Sequence, residues 1–158
     1  MTANATDTSG IRFPPPLYYL GGFAVGTAIH HFVPVRLWAP PPAAARAAGW
    51  ALVALWAAVS VAAVGLLRRA GTTPNPAKPT TALVVCGPYR FSRNPLYVAL
   101  AALYLGATLL ANSLWPLLAF PAVIALVRTR VIAREEAYLE AKFGDAYRAY
   151  RARVRRWL

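Results

Sequence analysis

The chain has 158 residues, of which 58% are hydrophobic and only 14% are charged, and its mean hydropathy is positive. This composition indicates an integral membrane protein. The formal net charge of +12 is compatible with nucleic-acid binding. However, the sequence has no pattern of basic residues alternating with aromatic ones and no motif that reads bases, so we exclude nucleic acid as a partner. The single cysteine excludes an intramolecular disulfide and a multi-cysteine metal site.

Four apolar segments without a formal charge follow one another along the chain. They cover residues 17–35, 47–67, 96–111 and 114–127. The first two reach the roughly 20 residues that cross a bilayer. The last two, joined by a predicted tight hairpin, would be only about 24 and 21 Å long, so we expect the fourth helix to continue past Val127. The predicted fold is an all-α bundle, a single membrane domain over residues 1–158 with about four transmembrane helices.

The basic residues are distributed asymmetrically about these segments. With an inside N-terminus, Arg12, residues 68–93 and the tail from Arg128 share one face and hold one, five and nine basic residues, 15 of the 17. Only Arg36 and Arg46 fall on the opposite face. Because cytoplasmic loops carry the excess of Lys and Arg, we predict both termini in the cytoplasm of a chain inserted in the cell inner membrane.

Small and polar residues in the first span carry further expectations. His30 and His31 lie near its far end, where we expect interfacial hydrogen bonding and no metal. Gly22 and Gly26 allow another helix to approach closely, within the monomer or between monomers. In the later loop, Cys86 is interpreted as a small buried hydrophobe.

The connection between the second and third spans resists helix formation. Residues 70–81 include one glycine, three prolines and four threonines, which favour an extended crossing that is either a lid or a connector. The apolar run Leu83, Val84 and Val85 follows. If this run is not helical, its backbone groups are free to bond a ligand.

The third helix is predicted to begin with an anion site beside it. Asn94 precedes Pro95, which disfavours helix at Asn94 and suits the first turn of a helix that begins there. A helix start offers unpaired N–H groups and the positive end of the dipole. Arg93 lies next to it and can hold a carboxylate or phosphate bidentately. The alternative is that Arg93 faces lipid head groups.

Two adjacent carboxylates follow the fourth segment. Glu135 and Glu136 point about 100° apart on a helix, so one can face a site while the other pairs with Arg130 or Arg134. A solvated helix end is the alternative. Beyond Asp145, four residues form an apolar stripe among arginines, which predicts a basic amphipathic helix on an anionic membrane surface. These are Tyr147, Tyr150, Val154 and Trp157.

Five short motifs stand in order in the second half of the chain: Leu83-Val84, Gly87-x-Tyr89, Arg93-x-Pro95-x-Tyr97, Glu135-Glu136 and Phe143-Gly144-x-x-Tyr147-x-x-Tyr150. Their order and spacing resemble the superfamily of isoprenylcysteine carboxyl methyltransferases and phospholipid methyltransferases, which are integral membrane enzymes. The resemblance covers roughly residues 72–158. Many members carry Arg-His-Pro-x-Tyr, whereas Asn94 occupies the histidine position here. Asparagine can hydrogen-bond a ligand but cannot act as a base near neutral pH.

The resemblance implies S-adenosylmethionine as cofactor, bound on the cytoplasmic side between the start of the third span and the acidic end of the fourth. Residues 70–97 would form the cofactor-site loop, and residues 128–158 would form cytoplasmic C-terminal helices. It implies that Arg93, with the helix start at Asn94 and Pro95, holds the cofactor carboxylate, and that Glu135 or Glu136 holds its ammonium. Backbone groups of Leu83 and Val84 would then bind the adenine edge, Gly87 would allow close approach, and Tyr89 and Tyr97 would wall the pocket.

The implied reaction is methyl transfer to a hydrophobic or amphiphilic acceptor, such as an isoprenylcysteine-like carboxylate or another lipid. Candidates for the catalytic residues are Glu136, Arg130 and Arg134. The alternatives are a phospholipid N-methyltransferase and a non-catalytic lipid-binding scaffold. The acceptor and the oligomeric state stay open.

Overall fold

The computed structural model describes residues 8–11, 13–76 and 78–158. Over these residues the chain is all-helical, and the only strand-like feature there is an isolated bridge between Arg36 and Ser113. The elements, in chain order, are α1 (Pro16–Phe32), α2 (Ala43–Arg69), a 3-10 turn (Gly87–Arg90), α3 (Pro95–Ala111), α4 (Leu114–Leu126), a π-helical turn (Val127–Ile132), α5 (Ala133–Phe143) and α6 (Asp145–Arg153). The predicted all-α fold class is confirmed.

Proline sets the start of the helix at Arg93-x-Pro95-x-Tyr97, which is called the motif below. α3 begins at Pro95, and Asn94 before it has φ −129° and ψ 54°, outside the helical region. Proline suits this position because its fixed φ matches the first turn and its missing N–H would be unpaired there anyway. The prediction that the third helix begins at the motif is confirmed.

The fourth apolar segment continues as expected. α4, the π-helical turn and α5 form one helix of 30 residues, Leu114–Phe143, and Gly144 ends it with φ +52°. At 1.5 Å per residue this helix is about 45 Å long, more than the roughly 30 Å of a hydrocarbon core. Its apolar part ends at Val127, and we treat the charged portion from Arg128 onward as lying outside the membrane.

The helices pack in two pairs, α1 against α4 and α2 against α3. A Cβ atom at Gly26 would lie 2.6 Å from the backbone nitrogen of Pro116, and one at Gly106 would lie 2.8 Å from the backbone oxygen of Gly49. These glycines therefore allow the helix backbones to approach within the monomer. A Cβ at Gly22 would likewise overlap Val123. Gly22 and Gly26 therefore allow close helix packing within the monomer.

The predicted tight hairpin between α3 and α4 is present. Asn112 adopts a left-handed conformation with φ +51°, which reverses the chain. Its side chain accepts a hydrogen bond from the N–H of Trp38 at 3.1 Å and donates one to the carbonyl of the same residue at 2.9 Å. His30 Nδ1 lies 3.0 Å from Ser113 Oγ, so hydrogen bonding by His30 is confirmed, while its position at the membrane interface stays a prediction.

Two helices in the described part of the chain are long and apolar enough to cross a bilayer, Ala43–Arg69 and Leu114–Phe143. Only 6% of the most apolar stretch of α2 is buried within the protein. An apolar helix with so little cover needs a non-aqueous environment, which supports a membrane location. The four-span arrangement, the inner membrane and the cytoplasmic termini stay predictions, and Arg12 lies outside the described residues.

The expectation for Cys86 is wrong. Its side chain is exposed, because it lies at the surface immediately before the 3-10 turn and does not enter the helix bundle.

Candidate functional site

A cleft lies where the loop after α2 meets the start of α3 and the helices α5 and α6. The predicted site residues that line it are Leu83, Val84, Tyr89, Arg93, Asn94, Pro95, Tyr97 and Glu135. Tyr138, Tyr147 and Tyr150, which were not predicted as site residues, also line it. Segments more than 50 residues apart in sequence therefore converge on one polar and aromatic site.

Arg93 contributes a buried guanidinium with unused donors. Its side chain is only 9% exposed, and Nη2 lies 3.1 Å from Glu136 Oε1. Nε and Nη1 are buried and have no hydrogen-bond partner among the described residues. Leaving buried charged donors unpaired is costly, so native proteins usually satisfy them with a ligand or water. The two nitrogens therefore mark the place where an anion would bind.

Glu136 does not line the cleft. Arg156 contacts it through Nε at 3.0 Å and Nη2 at 2.5 Å, and Arg93 contacts it from the other side. One carboxylate therefore holds two guanidiniums, and it is itself only 8% exposed. The sequence predicted that one of the two glutamates pairs with Arg130 or Arg134. Instead, Glu136 pairs with Arg93 of the motif and Arg156 of the tail.

Glu135 presents its carboxylate to the cleft. The hydroxyl of Tyr97 donates a hydrogen bond to its Oε1 at 2.7 Å, and it forms no ion pair with any described residue. Burial raises the pKa of Glu135 to about 7, although the Tyr97 hydrogen bond acts in the opposite direction and the charge of Glu136 adds to the rise. A cation placed beside this carboxylate would stabilise its ionised form.

The tyrosines of α6 belong to the cleft. Tyr147 is 1% exposed, and Tyr150 donates a hydrogen bond to the Tyr89 carbonyl at 2.7 Å. Burial raises the pKa of both α6 tyrosines to about 12, so both phenols are neutral at physiological pH. The prediction that these side chains lie on a membrane surface is wrong, because they pack inside the protein. The motif Phe143-Gly144-x-x-Tyr147-x-x-Tyr150 was the signal that could have assigned them to the site.

The C-terminal tail crosses the motif and holds it in place. The Arg93 N–H donates to the Arg155 carbonyl at 2.9 Å. Ser92 Oγ and Asn94 Nδ2 donate to the Arg156 carbonyl at 3.2 and 2.9 Å. Asn94 therefore uses its amide to bind the tail, a function that needs a donor and no titratable group.

Gly87 lies outside the cleft. It has φ +57°, and a Cβ there would lie 2.5 Å from Leu66 Cδ1, so the glycine permits a turn against α2. Leu83 and Val84 are non-helical, and their backbone groups take part in none of the backbone hydrogen bonds that connect the described loops. They are thus available to a ligand, as expected.

Arg130 and Arg134 are not brought to the cleft. Both line a second groove together with Tyr18 and Leu126, on another face of the helix that carries Glu135. Their predicted role beside the reacting groups has no support from this arrangement.

Comparison with known proteins agrees with this architecture. Residues 44–146 match the sequence profile of the phospholipid methyltransferase family, and the chain belongs to that family. It is therefore a methyltransferase-type membrane protein. A stretch of 65 residues is 49% identical to an uncharacterized protein of Haemophilus influenzae, covering 40% of this chain and all of that protein.

A second relative carries a functional name. Over 72 residues the chain is 38% identical to the protein-S-isoprenylcysteine O-methyltransferase of Schizosaccharomyces pombe, covering 46% of this chain and 30% of that enzyme. No solved structure gives a significant match.

Proposed function

We propose that the protein is an S-adenosylmethionine-dependent methyltransferase that modifies an amphiphilic acceptor at a membrane surface. The observation that carries the proposal is that one cleft holds both a guanidinium with unpaired hydrogen-bond donors and a carboxylate with no cation beside it. Arg93 has two buried donors without a partner, and Glu135 has a carboxylate without a cation in the described part of the chain. A zwitterionic amino-acid group satisfies both at once.

The residues of the cleft fit the parts of this cofactor. Arg93 would donate to its carboxylate and Glu135 would accept from its ammonium, while the free backbone groups of Leu83 and Val84 would bind the adenine edge. The faces of Tyr89 and Tyr147, which line the same cleft, favour a nearby sulfonium. When bound, S-adenosylmethionine supplies an electrophilic methyl group.

The acceptor is proposed to carry a carboxylate or thiolate. Glu135 is the only carboxylate that lines the cleft in the described structure, and we assign it to the cofactor. Because this leaves no side chain free to serve as a base, an acceptor that is already nucleophilic near neutral pH fits best. Val85 and Phe91, 43% and 74% exposed beside the motif, offer apolar surface for the rest of the molecule. An isoprenylcysteine-like carboxylate meets both requirements.

Calorimetric titration of the detergent-purified chain with S-adenosylmethionine and S-adenosylhomocysteine tests cofactor binding. Arg93→Lys keeps a charge near Glu136 but loses the two unpaired donors, and Glu135→Gln removes the charge at constant shape. We expect each to weaken binding by more than about tenfold. Arg148→Gln, which alters an exposed ion pair with Asp145, is the matched control and should bind normally. Unchanged affinity in both folded cleft variants would refute the assignment.

The acceptor is tested separately with methyl-labelled cofactor. An S-prenylated cysteine with a free carboxylate should be methylated, whereas its methyl ester should not, because the ester lacks the anionic carboxylate oxygen that attacks the methyl group. Transfer to phosphatidylethanolamine instead would establish phospholipid N-methylation. Absence of cofactor binding by folded protein, including in added lipid, would support the scaffold alternative.

A further inference from the structure

A second groove lies along the long helix where α4 passes through the π-helical turn into α5. Its lining residues are Ile11, Phe13, Tyr18, Leu126, Arg130 and Arg134. None of them lines the cleft, so the groove is a separate feature. It joins the segment before α1 to the junction of α4 and α5, where the long helix passes from apolar to charged residues.

The two arginines of this groove have no carboxylate partner among the described residues. The four acidic residues that the structure describes are engaged elsewhere. Their partners are Tyr97 for Glu135, Arg93 and Arg156 for Glu136, Arg148 and Arg151 for Glu140, and Arg148 for Asp145. The only hydrogen bond from Arg134 to the described residues is to the carbonyl of Gly10, at 3.3 Å. Both side chains are exposed and line the same groove, so both guanidiniums are open to an external anion.

The groove also changes polarity along its length. Leu126, Arg130 and Arg134 follow one another at four-residue intervals along the helix and all line the groove, so its apolar part lies toward the bilayer. Phe13 and Leu126 are 61% and 46% exposed and provide apolar walls. The arginines lie about one and two turns farther along, roughly 6 and 12 Å from Leu126. An elongated ligand with an apolar tail and an anionic head matches this order.

We propose that this groove binds the head group of an anionic phospholipid, with the phosphate between Arg130 and Arg134 and the acyl chain beside Leu126. Guanidiniums bind phosphate oxygens through paired hydrogen bonds. A basic site at the membrane surface favours anionic over zwitterionic lipid. The bound lipid would fix the depth at which the α4–α5 junction sits. This inference uses none of the cleft residues and holds whether or not the proposed reaction is correct.

Lipid retention by the full chain tests the proposal. Protein purified with an equal mixture of phosphatidylglycerol and phosphatidylcholine is analysed by native mass spectrometry. We expect selective retention of phosphatidylglycerol, which falls by about tenfold or more in the double variant Arg130→Gln/Arg134→Gln. The double variant Arg68→Gln/Arg69→Gln removes the same charge from two exposed arginines at the end of α2 and should retain as much lipid as the wild type.

Further variants keep the test decisive. Arg130→Lys/Arg134→Lys preserves charge and should retain most of the lipid, which guards against a folding defect in the glutamine variant. Equal loss of phosphatidylglycerol in Arg68→Gln/Arg69→Gln and in Arg130→Gln/Arg134→Gln would assign lipid retention to diffuse surface charge and overturn the proposed site. Binding of inorganic phosphate to lipid-free protein that depends on Arg130 and Arg134 and displaces no phosphatidylglycerol would identify a soluble anion site and also overturn it.

Discussion

Glu136 has an energetic role distinct from that of its neighbour. Among the residues that the structure describes, it is the only carboxylate in contact with Arg93, whose side chain is 9% exposed, and it also pairs with Arg156. Charged groups so far from water depend on their partner, because removal of one member leaves the other desolvated and unpaired. Glu136 therefore holds the Arg93 side chain in place from outside the cleft.

We predict that Glu136→Gln destabilises the protein by about 3–5 kcal/mol, since Arg93 would keep its charge without a carboxylate. Denaturant unfolding in detergent measures the difference. Glu140→Gln is the control. It breaks ion pairs with Arg148 and Arg151, whose side chains are 51% and 46% exposed, and it should lower the free energy of unfolding by less than about 1 kcal/mol. Equal stability losses in the two variants would contradict the role given to Glu136.

The role proposed for Glu135 predicts a specific pH dependence of cofactor binding. Binding of an ammonium group is favoured by the ionised carboxylate, and burial raises the pKa of Glu135 to about 7. Affinity should therefore fall as pH decreases through 7, by roughly eightfold between about pH 7.5 and 6 for this pKa. Calorimetry over this range measures it.

Glu135→Gln should bind more weakly but with a flat pH profile. No histidine lines the cleft within the described residues, so a profile that persisted in this variant would have to arise from another group and would refute the assignment.

At the scale of helices, hydrophobic pattern predicted most of the fold. The apolar segments gave the helix positions, and the proline at residue 95 gave the start of α3, because both are local properties of the chain. The partners of the charged side chains could not be predicted in the same way. Helical periodicity indicates the direction in which Glu136 points, but its pairing with Arg156 requires the tail to return across the motif.

The tail contact gives Asn94 a structural role. We predict that Asn94→Ala, which loses the hydrogen bond to the Arg156 carbonyl, loosens the tail and increases amide exchange at Arg93 by roughly fivefold, as expected for loss of about 1 kcal/mol. Hydrogen–deuterium exchange measures this, because the Arg93 N–H donates to the tail. Asn112→Ala, in the distant hairpin, is the control. Unchanged exchange at Arg93 would show that Asn94 does not hold the tail.

At the scale of the whole molecule, the apolar surface and the basic residues indicate how the protein sits in a bilayer. α2 is apolar and has little protein cover, and the chain after it returns through the basic loop to the cleft. If α2 crosses the bilayer, its two ends face opposite compartments. The excess of basic residues then predicts that the cleft lies on the cytoplasmic face.

The single cysteine provides a direct test of this orientation. Cys86 is exposed and follows α2, so a membrane-impermeant maleimide should label it in inverted membrane vesicles but not in intact spheroplasts. In Cys86→Ser combined with Ala44→Cys, the label moves to the exposed first turn of α2, and the accessibility should reverse. Labelling of both positions from one side would mean that α2 does not cross. Reversal with Cys86 on the outer face would mean that α2 crosses in the opposite direction, which would place the cleft away from cytoplasmic cofactor.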